Sequence, residues 1–369
     1  MSIYIFTLVV LLIFSFFELR TNLLDIQQKV MAVFVFCLFV FQVGLRWQTG
    51  TDWEPYLEHF NLVNSISDIY YSSSGFERGY NLFVFIIKLF WNNYSVFLFA
   101  HAFIYYFLIF SAFKKLTPYF FISLFVFYAT TMGVMGSNRQ LIALGICLFS
   151  LRYLFNKSTL KFFLFIGLAF LFHRSAILFI VYYFLNINIK RSWLFTILII
   201  SFIIGKTNLP ILAFSFAGNI LGDVGAYKVM FYGSTYEEEA RSLSLLGLLK
   251  RLLFFGLFLY NYTFLTLKLP YYKIIFNGYF VGLVIYALFS SSLIILVNRG
   301  SLYFSVMECL LLASQFILLK DKHYTVHFLI LLFIVSYFLL LQSIAGYSDL
   351  FLPYKGLFIN SDVFRYRLE

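Results

Sequence analysis

The apolar residues of this chain come in unbroken runs rather than in alternation. Residues 30–45, 95–113, 119–135, 137–155, 252–267, 274–297, 302–319 and 324–341 are each dominated by Leu, Ile, Val and Phe. A run of about 20 apolar residues can cross a bilayer as a helix. Lipid offers the backbone no hydrogen bonds, so each crossing segment must satisfy its own. Runs of this length without a two-residue period exclude a transmembrane barrel.

The polar joints between runs are short, and many are basic. Lys and Arg collect in cytoplasmic loops, so these joints set the topology. The clear clusters are Arg20 with Lys29, Lys114-Lys115, Arg152 with Lys157 and Lys161, Lys190-Arg191, Lys268 with Lys273, and Lys320 with Lys322. Neighbouring clusters must be separated by an even number of crossings. Residues 30–45 therefore exit and deliver Arg46 outside, and residues 95–113 return. Residues 79–91 resemble a span but break the count. At 100° per residue Arg78, Asn81, Lys88 and Asn92 share one narrow sector, which predicts a helix lying flat in the outer interface. Residues 119–135 exit and 137–155 return, leaving Gly136-Ser137-Asn138-Arg139-Gln140 outside.

Residues 161–185 have basic flanks on both sides, and each half is short for a span at about 1.5 Å per residue. They predict a helical hairpin with His173-Arg174 at its tip. Residues 192–204 exit. Residues 206–250, with Gly218, Gly222, Gly225 and Glu237-Glu238-Glu239, read as a long outer loop with short helices. Residues 252–267 return, placing Lys250 and Arg251 at the outer edge. Residues 274–297 exit to Asn298-Arg299-Gly300, 302–319 return, and 324–341 exit to a tail bearing Pro353-Tyr354-Lys355. The expected fold is an all-α polytopic integral membrane protein of about eleven or twelve helices including the hairpin, with the flat outer-face helix in addition. Residues 1–369 read as one transmembrane domain, with outer loops at 46–94 and 206–250.

Composition agrees. Apolar residues make up 62% of the chain and charged residues 12%, against roughly 45–50% and 25% in soluble domains. A net charge of +11 would suggest nucleic acid for a soluble protein; here the basic joints account for it, and no nucleic-acid partner is expected. Cys37, Cys147 and Cys309 lie inside apolar runs without metal-ligand spacing. The first seventeen or so residues lack a basic start and a small-residue cleavage site, so they read as a retained span.

Candidate chemistry gathers at the outer edge. The cytoplasmic clusters are mostly Lys, whereas Arg46, Arg78, Arg139, Arg174, Arg241, Arg251 and Arg299 fall at outer positions, against the usual bias. Arg is always charged, and its planar fork fits phosphate oxygens. As a set these residues favour a diphosphate site; singly, each could cap a helix or pair with Asp52, Glu54 or Glu77. His173 reads either as a base, with an unperturbed pKa of ~6.5, or as a structural residue. Asp52 and Glu54 invite a divalent-ion reading. No Walker loop, nucleophile elbow or dinucleotide fingerprint occurs.

The motifs carry a resemblance. Gly50-Thr51-Asp52-Trp53 with Tyr56, Glu77 with Gly79-Tyr80, Asn138-Arg139-Gln140 and His173-Arg174-Ser175-Ala176 resemble the EpsG-like branch of the Wzy polysaccharide polymerases. Asn298-Arg299 and Pro353-Tyr354 fit late positions of that pattern, and the resemblance runs over nearly the whole chain. It implies a multi-pass protein of the bacterial inner membrane, similar to membrane glycosyltransferases of the O-antigen ligase type, with its active site facing the periplasm or cell exterior. It implies that glycan on undecaprenyl diphosphate is passed to the next lipid-linked repeat unit, with no metal or other cofactor. Glu54 falls at a variable position of the pattern, which weakens the metal reading.

On this reading Arg139, Arg174 and Arg299, with Arg46 and Arg251, bind the diphosphate, and Tyr56, Glu77 and Asn138 complete the substrate site. His173 or Asp52 orients or deprotonates the acceptor, and Trp47, Trp53 and Tyr80 offer faces to sugar rings. A chain-length regulator protein is a further expected partner. Three other classes stay open: a lipid-linked oligosaccharide flippase, a membrane O-acyltransferase using His173, and a metal-dependent sugar-phosphate transferase using Asp52 and Glu54.

Overall fold

Within the apolar runs the backbone bonds to itself, and each run becomes a helix. The structure, a computed structural model, describes all residues except 22–23, 71–74, 221–244, 294–295, 320–322, 364 and 366–369. Its described residues form helices, turns and one isolated bridge between Arg46 and Gly356. Two compact units result: Met1–Phe179 with Leu312–Glu369, and Ile180–Leu311.

The first unit contains α1 (Ser2–Arg20), α2 (Asp25–Gly44), α3 (Trp53–Leu62), α4 (Ile66–Tyr70), α5 (Arg78–Phe90), α6 (Tyr94–Leu116), α7 (Phe120–Thr131), α8 (Asn138–Phe155) and α9 (Thr159–Phe172). Near the C-terminus it adds α17 (Thr325–Ala345) and α18 (Ser348–Phe351). Ring contacts fix the helix directions. Phe36 meets Phe103 and Phe110, and Phe41 meets Phe99, so α2 and α6 run antiparallel. His101 reaches the Asn138 carbonyl at 2.8 Å while Arg152 reaches the Ser111 carbonyl at 2.8 Å, so α6 and α8 run parallel. Tyr128 lies by Tyr4 and Phe121 by Phe14, so α1 and α7 are antiparallel. These are the directions that the basic-joint parity requires. Lys29, Lys114 and Arg152 therefore share one end of this unit, and Arg46, Asn138 and His173 the other.

The start of α7 has no polar side chain of its own to cap it. Glu18 of α1 supplies the acceptor instead, taking the N–H groups of Phe120, Phe121 and Ile122 at 2.6, 3.0 and 3.2 Å. An anion at a helix N-terminus also meets the positive end of its dipole. Near the opposite end a buried polar chain ties α1, α2, α7 and the tail together. Thr7 Oγ1 donates to Gln42 Oε1 at 2.9 Å, Gln42 Nε2 donates to Tyr128 Oη at 2.8 Å, and Tyr354 Oη donates to the Gln42 carbonyl at 2.5 Å.

The helix expected to lie flat forms as α5, and the middle of its polar stripe, Asn81 and Lys88, turns inward while Arg78 and Asn92 at its ends stay exposed. Asn81 is 1% exposed, and Lys88 Nζ donates to the Phe60 carbonyl and Asn64 Oδ1, both at 2.8 Å. The exposed residues of α5 are Arg78 and the apolar Leu82, Ile86, Leu89 and Phe90. The helical wheel locates the stripe correctly; the α3–α4 segment supplies the partners that it would otherwise find in water.

The hairpin tip is also present. α9 ends at Phe172, and a 3₁₀ segment runs over Arg174–Phe184. A straight helix would hold Phe162 and Phe179 about 25 Å apart, yet their rings lie 6.5 Å apart, so the chain doubles back at His173.

The second unit contains α10 (Arg191–Gly205), α11 (Leu209–Ile220), α12 (Leu245–Tyr260), α13 (Tyr262–Lys268), α14 (Tyr272–Phe289) and α15 (Leu302–Ser305). α16 (Met307–Leu319) begins in it and carries the chain back to the first. α10 and α11 meet at a bend of 83°, α12 and α13 at 61°. Arg251 packs on the Tyr286 ring while Tyr272 Oη donates to the Phe258 carbonyl at 3.1 Å, which sets α12 antiparallel to α14. Of the expected 206–250 loop, Gly222, Gly225, Glu237-Glu238-Glu239 and Arg241 lie outside the described residues.

Among the described residues six helices are long and apolar enough to cross a membrane, or eight if each bent pair is one span. The protein is thus an all-α polytopic membrane protein. The lower count than the eleven or twelve expected has a local cause. Phe120–Val134, Thr159–Phe172 and Arg174–Phe184 are short apolar helices, and α8 carries Arg139 and Arg152 near its two ends.

Two glycines join the loop before α3 to the turn before α8. Gly50 and Gly136 have φ of +110° and +118°, and Thr51 N donates to the Met135 carbonyl at 3.0 Å. A Cβ on Gly136 would stand 2.5 Å from Thr51 N, whereas one on Gly167 in α9 would meet nothing within 4 Å. Strained backbone of this kind costs about 1–3 kcal/mol. Gly136→Ala is therefore expected to lower the unfolding temperature of the purified protein by several degrees and Gly167→Ala to leave it unchanged. Differential scanning fluorimetry in one detergent checks both.

Candidate active site

Arg46 follows α2 directly and is 3% exposed. Its Nη1 donates to the Val43 carbonyl at 2.5 Å and its Nη2 to Asn138 Oδ1 at 2.7 Å. Burial lowers its guanidinium pKa from the ordinary value, though arginine stays charged in proteins. The tail covers the same place. Trp47 N donates to the Lys355 carbonyl at 3.0 Å, and Lys355 Nζ to Gln48 Oε1 at 2.6 Å. Arg365 donates to Thr49 Oγ1 at 2.8 Å and to the Pro353 carbonyl at 2.7 Å. Arg46 and Asn138, expected to touch substrate, instead spend these groups on each other and fix where α8 starts.

The next residue of α8 is Arg139. Its Nη1 pairs with Glu77 Oε2 at 2.6 Å, and its Nε donates to Tyr56 Oη at 3.2 Å. The guanidinium carbon lies 3.8 Å from the centre of the Phe76 ring. The Arg139 and Glu77 side chains keep 17% and 11% exposure, so the pair is reachable at its edge. Glu77 has a second partner, since its Oε1 accepts from Arg174 N at 3.2 Å. One carboxylate thus joins the start of α5, the start of α8 and the hairpin tip. A charge-assisted bond of this length is worth roughly 1.5–3 kcal/mol.

Tyr56 is buried on α3, and desolvation holds its phenol above the ordinary range. It therefore stays neutral and accepts from Arg139. Asp52, just before α3, is half-buried and accepts from Ser137 Oγ at 3.4 Å. Arg174 is exposed, and among the described residues its guanidinium has no carboxylate within 4 Å. His173 is half-buried, with Nδ1 at 2.6 Å from Ser175 Oγ. The structure thus brings Asp52, Tyr56, Glu77, Asn138, Arg139, His173 and Arg174 to one end of the first unit, around the buried Arg46.

Arg251 and Arg299 belong to the second unit. Arg251 stacks 3.9 Å from the centre of the Tyr286 ring and donates to the Gly247 carbonyl at 3.0 Å. Arg299 is exposed on a single π-helical turn, Leu296–Gly300. Beside Arg251, Lys250 pairs with Glu308 at 3.0 Å. Glu308 is buried, a carboxylate that the sequence reading passed over because it sits alone in an apolar run.

His59 and Phe76 were also passed over as site residues. Phe76 lies between Arg139 and the His59 ring, the two rings 4.3 Å apart. The signal was there: Tyr56, His59 and Phe60 share one face of α3 at helical spacing, and all three are buried. Among the described residues no three of His, Cys, Asp and Glu gather into a metal-holding group.

A carboxylate, a buried arginine and a second, exposed arginine at one end of a helical bundle define a polytopic membrane protein with an anion-competent polar site. The chain belongs to the EpsG family, whose model matches residues 29–356. That range includes every site residue named above except Arg365 of the tail. Membership supports a function of the polysaccharide-polymerase type, with lipid-linked sugars as substrates in general. No curated protein and no solved structure matches the chain.

Burial, with the Arg139 charge adding to it, lowers the His59 pKa to about 4. Unfolded His59 titrates near ~6.5, so between these values the unfolded chain binds the extra proton. The neutral His59 therefore contributes stability in full above pH ~6.5, and that contribution is lost as pH falls towards 4. The unfolding temperature of the wild type is expected to drop across this window and that of His59→Gln to drop less. Equal slopes for the two proteins would refute the assignment.

Proposed function

We propose that the protein is a membrane glycosyltransferase, a polysaccharide polymerase that passes a glycan from undecaprenyl diphosphate to the next lipid-linked repeat unit at the outer face of the bacterial inner membrane. The reading rests on one observation above all: Arg174 stands exposed beside the Glu77–Arg139–Tyr56 network, at the end of the first unit opposite Lys114. An acceptor hydroxyl oxygen forms a bond to the anomeric carbon of the donor, and the bond from that carbon to the phosphate oxygen breaks. The leaving lipid diphosphate is a stable anion, so it needs charge stabilisation more than a proton. Arg174 supplies it, with Arg139 held at the right depth by Glu77 and by the face of Phe76. The hydroxyl proton passes to Asp52 or His173, the two titratable groups flanking the network.

In this scheme Arg46 and Asn138 position the start of α8 rather than touch the diphosphate. Glu77 orients both arginines, through one side chain and one backbone N–H. Arg251 and Arg299 remain candidates for lipid-linked substrate within the second unit. No resident metal is part of the scheme. Formation of a polymer ladder from purified protein and a lipid-linked repeat unit distinguishes this activity from translocation or acyl transfer.

Two outcomes test the scheme. Lys keeps the charge of Arg but loses its fork. One charged hydrogen bond lost in the transition state, at roughly 1.5–3 kcal/mol, slows the reaction about ten- to a hundredfold. Arg139→Lys and Arg174→Lys are expected to show this loss at unchanged membrane yield. Arg78→Lys, exposed and 5.5 Å from the centre of the Tyr70 ring, serves as the control and is expected to retain activity. Near-wild-type rates for both test variants would remove the arginines from the chemistry. The second measurement adds EDTA to the same assay: activity is expected to persist, and loss with rescue by magnesium or manganese would favour the Asp52–Glu54 metal alternative.

A further inference from the structure

The Lys114 end of the first unit holds a cavity of about 270 Å³ that the proposed chemistry does not use. Its lining includes Glu18, Asp25, Gln28, Lys29, Lys114 and Phe120. Asp25, Gln28 and Lys29 come from the first turns of α2, Lys114 from the last turn of α6, and Phe120 from the start of α7. The cavity thus opens between apolar helices at the end where the basic joints lie.

Its charges are arranged unusually. Glu18 is committed, its two oxygens taken by three backbone N–H groups of α7. Asp25 and Lys29 are four residues apart on one helix face, a spacing at which opposite charges readily pair. They do not pair here: among the described residues neither Lys29 nor Lys114 has a carboxylate oxygen within 4 Å. One carboxylate and two ammonium groups therefore line a single space, each exposed and none neutralised by another. The volume lies just below the ~300–1,000 Å³ of ordinary ligand sites, suited to a headgroup rather than an oligosaccharide.

We propose that this cavity binds the headgroup of an aminophospholipid, the ligand class that carries both missing charges. Its phosphate lies between Lys29 and Lys114, and its primary ammonium meets Asp25. Basic pockets between transmembrane helices at the cytoplasmic face are a recurrent setting for lipid headgroups. The ammonium partner selects a zwitterion with N–H donors over an anionic lipid. A quaternary ammonium, lacking such donors, fits less well. This inference does not rest on the polymerase reading, because its residues lie at the other end of the helices.

The test uses the purified full-length protein in detergent, with phosphatidylethanolamine, phosphatidylcholine, phosphatidylglycerol or inorganic phosphate added. It measures lipid retained per protein by mass spectrometry and the shift in unfolding temperature. Phosphatidylethanolamine is expected to be retained most and to raise the unfolding temperature most. Lys29→Gln and Lys114→Gln should each weaken retention about fivefold. Asp25→Asn should abolish the preference for phosphatidylethanolamine over phosphatidylglycerol while phosphate-bearing lipid still binds. Lys115→Gln, outside the cavity lining, serves as the folded control and should match the wild type. Equal retention of the three lipids by the wild type would overturn the proposal. So would unchanged retention in the Lys29→Gln/Lys114→Gln double variant. A thermal shift reproduced by inorganic phosphate alone would assign the cavity to a free anion and overturn the lipid reading.

Discussion

The buried Arg46 guanidinium is the constraint on which one whole end of the first unit depends. A charge removed from water is costly unless nearly every donor finds an acceptor. Arg46 finds the Val43 carbonyl on its own helix end and Asn138 Oδ1 on another. The second bond sets where α8 begins relative to α2. Asn138 is further held by His101 at its carbonyl, so α2, α6 and α8 meet at one residue. Arg139 follows immediately, and its depth beside Tyr56 and Glu77 is inherited from that meeting point. The tail closes over the joint through Lys355 and Arg365, which ties residues far apart in sequence to the same few atoms.

Glu77 plays the complementary part. A carboxylate with two oxygens can serve two cations or donors at once, and here it serves Arg139 and the backbone of Arg174. Through Glu77 the hairpin tip is tied to the starts of α5 and α8. The exposed Arg174 side chain follows from this arrangement, since its backbone is anchored while its guanidinium is left to solvent. Membership of the EpsG family gives this geometry its polysaccharide-polymerase context, and the arginine-centred scheme is the chemistry proposed for it.

Parity in the basic joints was a stronger guide than hydropathy alone. It required α6 and α8 to run the same way and α2 and α6 to oppose, and the side-chain contacts show both. It also kept residues 79–91 from being taken as a span. Counting runs was less reliable, because α7 and α9 are short and α8 is charged near both ends. Of the candidate site, the motif positions Asp52, Tyr56, Glu77, Asn138, Arg139 and His173-Arg174 were legible because they interrupt long apolar runs. Arg46 was legible as a candidate site residue but not as a buried one. Nothing in a sequence states whether a membrane-edge arginine faces ligand or an asparagine ninety residues away.

The sequence by itself determined the class of protein. Unbroken apolar runs force helices in lipid, basic joints set their directions, and polar interruptions mark where chemistry can occur. The tertiary structure alone decided the partners. It turned Lys88 of the α5 stripe inward onto the Phe60 carbonyl and Asn64, and it placed His59 against Phe76 and Phe76 against Arg139. It also spent Glu18 on the start of α7. The physical reason is the same in each case. Periodicity fixes which face of a helix a side chain occupies, but the partner on that face comes from a distant part of the chain and exists only once the helices have packed.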